Sequence, residues 1–449
     1  VGASIYLIAV SCAAIALAIW LIAKVGLHPF LGLLCGATLA GLASGIAPQQ
    51  VVVEIEKGFA DILRGIGLVV ALGLSLGAIL QISGGAQSLA ARALAMTGQR
   101  YASWGALAAA LLIGLPLFFE TGTVLLLPII VAGMANDRGD PQARLRVMLS
   151  ALAGLSVLHA LMPPHPGPLI AVNELKAPLL PTMAFGLLAA IPTAIVAGPI
   201  LMRYMTRNVR TDSAVLPITQ AIGSAPAWKS LIIILFPVCL IASGAVLKLN
   251  SAATPSAVMQ WIELISDPAM ALLLANLAAL LLLLPGKVAD HDVQSNIWKD
   301  AMVPAGSIIL SIGAGGSLKQ ILVAIGLPDV FAKIASMGLI SPILMAWLVA
   351  AAIRVATGSA TVATITASAI MAGVASGRSA NPTFLVLAIG AGSVFLSHVN
   401  DPGFWLVKGY LGTSTRDTFK TWSVLETAIS VFGLAMVLLL SLLAGLIGL

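Results

Sequence analysis

Met162-Pro163-Pro164-His165-Pro166-Gly167-Pro168 interrupts one apolar run of this chain, and Ser397-His398-Val399-Asn400-Asp401-Pro402-Gly403-Phe404-Trp405 interrupts another. Four prolines in six residues cannot continue a helix, because each lacks the amide N–H and clashes with the preceding turn. The two breaks share a register. Sliding the chain by 236 residues lays Pro166-Gly167 on Pro402-Gly403. The same slide lays Gly77 on Gly313, Thr121-Gly122-Thr123 on Thr357-Gly358-Ser359, and Gly154 on Gly390. Four features at one offset indicate an internal duplication. The reading is a first repeat at 1–205, a polar linker at 206–229 and a second repeat at 230–449.

What surrounds the breaks fixes the class. Of 449 residues, 59% are apolar and 9% charged, against about 25% charged in a soluble globular chain. The net charge is +6, but the 23 Lys and Arg are scattered along the sequence and form no phosphate-tracking stripe, so nucleic acid is not a partner. Cys12, Cys35 and Cys239 stand singly in apolar runs. That spacing suits neither a disulfide framework nor a metal site, and they read as small packing residues. Runs long enough to span the hydrocarbon core lie at 3–23, 28–46, 62–82, 180–202, 230–248, 267–285, 301–323 and 422–446. The first lacks a basic n-region and reads as a span, not a signal peptide. Stretches 147–170 and 382–407 read as broken helices, and 103–135 and 341–375 as re-entrant hairpins.

The expected fold is therefore an all-α polytopic membrane protein. It has two repeats of about five transmembrane helices plus one re-entrant hairpin, with broken helices at the midplane. An odd number of crossings per repeat inverts the second. With the linker in the cytoplasm and both termini outside, 15 Lys and Arg fall inside and six outside, as the positive-inside rule requires. Inverted repeats with broken helices are a transporter signature, because irregular backbone at membrane depth is tolerated only inside protein or along a cavity.

The hairpin tips are the first candidate site: Glu120, Thr121, Gly122 and Thr123, and their mates Thr357, Gly358 and Ser359. Hydroxyls beside glycine leave helix-start N–H groups open to an anion. The alternative is that these hydroxyls only back-bond within ordinary helices. Buried charges are costly and mark function; here they are Glu120, Lys319, Arg354, Asp401 and Glu426. Arg354 suits a bidentate grip on a carboxylate, and Asp401 suits proton coupling, with His398, His165 and Glu120 as further candidates. The competing reading pairs Arg354 internally with Asp401 or Glu120. His165 and Asn400 are the candidates for reading substrate hydroxyls. No metal spacing and no cofactor motif occur. Gly73-Leu74-Ser75-Leu76-Gly77 fits the nucleophile-elbow pattern, but it lies in an apolar helix without the strand–turn–helix context, so helix packing is the better reading.

At these same segments the chain resembles the gluconate permease family, the gluconate:proton symporters of the ion transporter superfamily. The likeness is carried by Phe118-Phe119-Glu120, Pro163-Pro164-His165-Pro166-Gly167-Pro168, Thr357-Gly358-Ser359-Ala360-Thr361-Val362-Ala363, and the run from Gly392 to Trp405. It extends over nearly the whole chain, including Ser266-Asp267-Pro268 and Trp422-Ser423, while Val209–Pro226 matches no family motif. The resemblance implies a multi-pass protein of the bacterial inner membrane that takes up gluconate or a related small hydroxy acid with protons. It also implies a homodimer working by an elevator movement. D-serine or another hydroxy acid as substrate, exchange, and sodium coupling remain the alternatives.

Overall fold

The computed structural model describes residues 2–115, 118–119, 122–123, 126–127, 130, 141–163, 165–207, 209, 223–249, 256–337, 340–376, 381–398 and 401–446. Among these the chain is all-helical, without a strand. The candidate residues Glu120, Thr121 and Asn400 lie outside the described residues.

Apolar runs with few charges give helices α1 (Gly2–Ala23), α2 (Pro29–Ala43) and α3 (Pro48–Ile82). After α4 (Gly85–Thr97) and α5 (Ala102–Ile113) comes α6 (Pro141–Leu161). The proline cluster then breaks the chain before α7 (Pro166–Glu174). Helix α8 (Leu179–Met205) follows, with a π turn at Val196–Ile200. The later part begins with α9 (Ala227–Leu249), α10 (Ser256–Ser266), α11 (Pro268–Leu283), α12 (His291–Ala324) and α13 (Leu327–Ser336). It ends with α14 (Pro342–Thr357), α15 (Ala360–Ser376), α16 (Pro382–Gly392), α17 (Pro402–Leu411) and α18 (Thr415–Leu446).

Four described helices are long and apolar enough to span a bilayer, or six if each of two bent pairs counts as one span. The 16 residues of α14 reach about 24 Å at 1.5 Å per residue, short of the ~30 Å hydrocarbon core. It ends inside the protein at Gly358, whose φ of +69° lets the chain leave the helix in the left-handed region. Helices α14 and α15 then pack against each other.

Two sequence boundaries move furthest. Helix α3 starts at Pro48 rather than at 62 and bends by 47° between Arg64 and Gly67. Helix α12 starts at His291 rather than at 301, because Asp290 caps it by accepting from the Asp292 and Val293 amides. Polar first turns hid both starts from a hydropathy reading. Side by side, α3 and α12 are bound by close backbone approach: a Cβ on Gly58 would come within 2.3 Å of the Gly316 carbonyl oxygen. Polar ties run along the same seam, from Ser317 Oγ to the Ile55 carbonyl (2.9 Å) and from Gln320 to Glu54 (2.7 Å).

The surface is apolar too, as a lipid-facing bundle requires: Leu68, Trp261, Leu281 and Leu442 are all exposed. Lipid is as apolar as leucine, so packing rests on small residues and interhelical hydrogen bonds. The three cysteines correct the sequence reading. All are exposed, on outer helix faces, because in a membrane chain an apolar neighbourhood marks the outside as well as the core. Lys319 is settled as an ion pair, its Nζ 2.6 Å from Glu174 Oε1, joining α12 to the last turn of α7.

Candidate functional site

The α14–α15 tip is built by its own hydroxyls. Thr357 Oγ1 donates to the Ile353 carbonyl (2.9 Å) and accepts from the Ser359 amide (3.4 Å). Ser359 Oγ accepts from the Val362 amide (3.3 Å), closing the first turn of α15. One turn before the tip stands Arg354, 4% exposed, its own carbonyl accepting the Gly358 amide.

The break before α17 puts Asp401 at that helix's N-cap, where Oδ1 accepts from the Gly403 amide at 2.7 Å. A capping carboxylate satisfies a helix-start donor and sits at the positive end of the dipole. Its other oxygen, Oδ2, accepts from Arg354 Nη2 at 2.5 Å and also from Ser397 Oγ. Arg354 Nε has no hydrogen-bond partner among the described residues. Ser397 is the hub of a longer chain. It accepts from Trp422 Nε1 (2.8 Å) through its hydroxyl and from the Ser423 hydroxyl through its carbonyl.

Trp422 and Ser423 lie in a π turn, Phe419–Ser423, inside α18. Such turns insert an extra residue and cluster at functional sites. Trp422 stacks on Phe119 with centroids 5.3 Å apart. One turn further on, Glu426 is 2% exposed and accepts from Ser156 Oγ of α6 at 2.5 Å, its single hydrogen-bond partner among the described residues.

These groups surround a cavity of about 380 Å³, within the few-hundred-Å³ range of small-molecule sites. Arg354, Thr357, Gly358, Ser359 and Asp401 line it, as do Ser156, His159, Trp422 and Glu426, while Ile22, Pro29, Ser311 and Ile312 face them from α1, α2 and α12. The other described candidates stand back from it. Thr123 back-bonds to the Phe119 carbonyl (2.8 Å), and Gly122 packs on Leu155. His165 is buried with Nε2 2.8 Å from the Gly114 carbonyl, and His398 Nε2 is 2.9 Å from the Val355 carbonyl. Ser156, Ser397 and Trp422 are the site-forming residues that the sequence reading passed over. Glu426 it noted only as a buried charge.

The chamber thus presents one ion pair, one further carboxylate, hydroxyls and a tryptophan face. Comparison with known proteins gives the family. A model of the GntP family permeases matches residues 5–443. The gluconate permease of Pseudomonas aeruginosa is 42% identical over 434 residues, covering 94% of each chain. The Gnt-II system L-idonate transporter of Escherichia coli is 36% identical, covering 95% of this chain and 97% of its own. Among solved structures, the YdaH transporter of Alcanivorax borkumensis shares the fold with a TM-score of 0.61 at 15% identity, over 89% of each chain. MtrF of Neisseria gonorrhoeae does so with a TM-score of 0.58 at 13% identity, over 93% of this chain and 96% of its own.

Proposed function

The chain belongs to the GntP permease family, and from that premise we propose that it takes up gluconate or a related small sugar or hydroxy acid in symport with protons. It is a multi-pass membrane permease and not an enzyme. We place it in the bacterial inner membrane, in keeping with its bacterial relatives, as a homodimer on the strength of the superfamily resemblance.

The observation that carries the reading is the Arg354–Asp401 pair on the cavity wall. A substrate carboxylate entering the cavity competes with Asp401 for one guanidinium. Protonating Asp401 removes its charge and releases Arg354, which then has its fork available for the incoming anion. Proton and substrate thus load together, and neither loads well alone. Glu426, whose hydrogen-bond partner among the described residues is the neutral Ser156, is the second carboxylate we assign to proton exchange. It can take up and return a proton without breaking an ion pair. At the tip, the Gly358 and Ser359 amides and the Thr357 hydroxyl are used within the turn, so the Ser359 hydroxyl is the donor we assign to the substrate, and Asn400 remains the candidate for reading the polyol.

We further propose that the two repeats, 1–205 and 230–449, are inverted about the linker at 206–229. In support, α7 and α17 start 236 residues apart, and so do α8 and α18. The cavity lies between two groups of helices, α1, α2 and α12 on one side and the α14–α18 breaks with α6 on the other. That boundary is where an elevator-type slide would run. Sealed proteoliposomes test the whole reading. Gluconate should accumulate under an inward proton gradient and not under a sodium gradient, and counterflow should occur. Uptake driven by sodium, or exchange alone without accumulation, would contradict proton symport. A competition panel of gluconate, idonate, hydroxy acids and D-serine fixes the substrate.

A further inference from the structure

A second recess, of about 660 Å³, shares no lining residue with the transport cavity. Four arginines line it, Arg100, Arg146, Arg203 and Arg207, together with Tyr101, Trp104 and Tyr204; among the described residues no carboxylate does. The fold gathers them from three separate segments: the α4–α5 turn, the second turn of α6, and the end of α8. Gln142 Nε2 donates to the Arg207 carbonyl at 2.6 Å, tying the end of α8 to the start of α6.

Arg146 is already engaged by a partner of its own, but Arg100, Arg203 and Arg207 are brought together beside it, and like charges repel unless an anion joins them. Here two guanidiniums are set in place by aromatic rings: Arg207 lies 5.1 Å from the Tyr204 ring centroid and Arg100 lies 5.5 Å from that of Tyr101. The rim is different in kind. Tyr101, Trp104, Ile200 and Tyr204 are 51%, 43%, 46% and 54% exposed, so an amphipathic aromatic border continues the recess onto the lipid-facing surface. Tyr and Trp take that position at the level of lipid headgroups. The recess also lies at helix ends, on the side to which the basic excess was assigned. A phosphate-sized anion with an apolar tail fits both halves of the description.

We propose that this recess binds the phosphate of an anionic lipid headgroup, with the guanidiniums on the phosphate and the aromatic rim against the acyl chains. Basic pockets between transmembrane helices recognise anionic headgroups in this way. A free phosphate anion offers the same charge but no tail, so the two sources separate experimentally.

The test uses the purified full chain in detergent, by native mass spectrometry, with phosphatidylglycerol, phosphatidylcholine or inorganic phosphate added in parallel. Wild type should retain phosphatidylglycerol over phosphatidylcholine, and inorganic phosphate at millimolar concentration should not displace it. R203Q/R207Q should weaken retention about 30-fold, from about 1 kcal/mol for each basic residue near the surface. R92Q, an exposed arginine outside the recess, should leave it unchanged. Equal retention of both lipids, or no loss in R203Q/R207Q, overturns the proposal; displacement by inorganic phosphate overturns the lipid as its source. A melting-temperature rise with phosphatidylglycerol but not phosphatidylcholine checks the same claim on the unmodified protein.

Discussion

Replacing Arg354 separates its pairing with Asp401 from the grip on the substrate proposed for it. Arg354 is 4% exposed and its Nη2 lies 2.5 Å from Asp401 Oδ2. Arg354→Gln strands a buried carboxylate, which costs about 3–5 kcal/mol when one partner of a buried pair is removed. In Arg354→Gln/Asp401→Asn neither charge remains, so the double variant should recover most of that loss, leaving about the 1 kcal/mol of an ordinary hydrogen bond. Arg354→Lys keeps the charge and much of the stability but loses the planar fork. Its gluconate affinity should fall by roughly 1–3 kcal/mol, or about 5- to 150-fold. Thermal unfolding in detergent reads the first pair of effects, and equilibrium binding of labelled gluconate to the purified, folded variant reads the second. If Arg354→Lys binds gluconate normally while folded, Arg354 is only a counter-ion to Asp401. If the double variant is no more stable than Arg354→Gln, the pair does not carry the coupling described here.

Gly390→Ala should destabilise the bundle by roughly 1–3 kcal/mol or more, since its Cβ would lie 2.1 Å from the Ala160 carbonyl oxygen; the melting temperature of the purified variant checks this. Glu426→Gln keeps the acceptor for Ser156 but cannot exchange a proton, so the pH profile of uptake should flatten while gluconate binding persists. An unchanged profile removes Glu426 from the coupling scheme. For orientation, single cysteines at positions 207 and 378, after removal of the exposed Cys12, Cys35 and Cys239, should be labelled from outside at 378 and not at 207. The reverse pattern overturns the orientation, with the linker in the cytoplasm and both termini outside.

Much of this site is legible in the sequence because punctuation residues are informative in an apolar chain. Pro166 and Pro402 mark helix starts, and Gly358 marks the tip. Arg354 and Asp401 stand out as charges with no solvent to receive them. The rest is hidden for physical reasons. Ser156 meets Glu426 across 270 residues, a contact that no local pattern encodes, and serine is common in membrane helices. Trp422 and Ser423 reach Ser397 from a π turn, whose extra residue shifts the helical phase that any periodicity argument relies on. Thr121-Gly122-Thr123 and Thr357-Gly358-Ser359 look alike in sequence, and Thr123 and Thr357 both back-bond to the carbonyl four residues earlier, yet Thr357 lines the cavity and Thr123 does not. Cys12 shows the limit of hydropathy itself, since lipid-facing and core-facing positions are equally apolar.

The most direct test of the coupling is gluconate affinity as a function of pH, in wild type and in Asp401→Asn. An Asp401 proton that frees Arg354 makes wild-type affinity rise as the pH falls, by up to tenfold per pH unit for one linked proton. In Asp401→Asn the guanidinium is permanently free of its competitor, so binding should persist with a flattened pH dependence, and accumulation against a gradient should be lost. A wild-type affinity that does not change with pH, or an Asp401→Asn protein that still accumulates gluconate with the wild-type pH profile, contradicts the account.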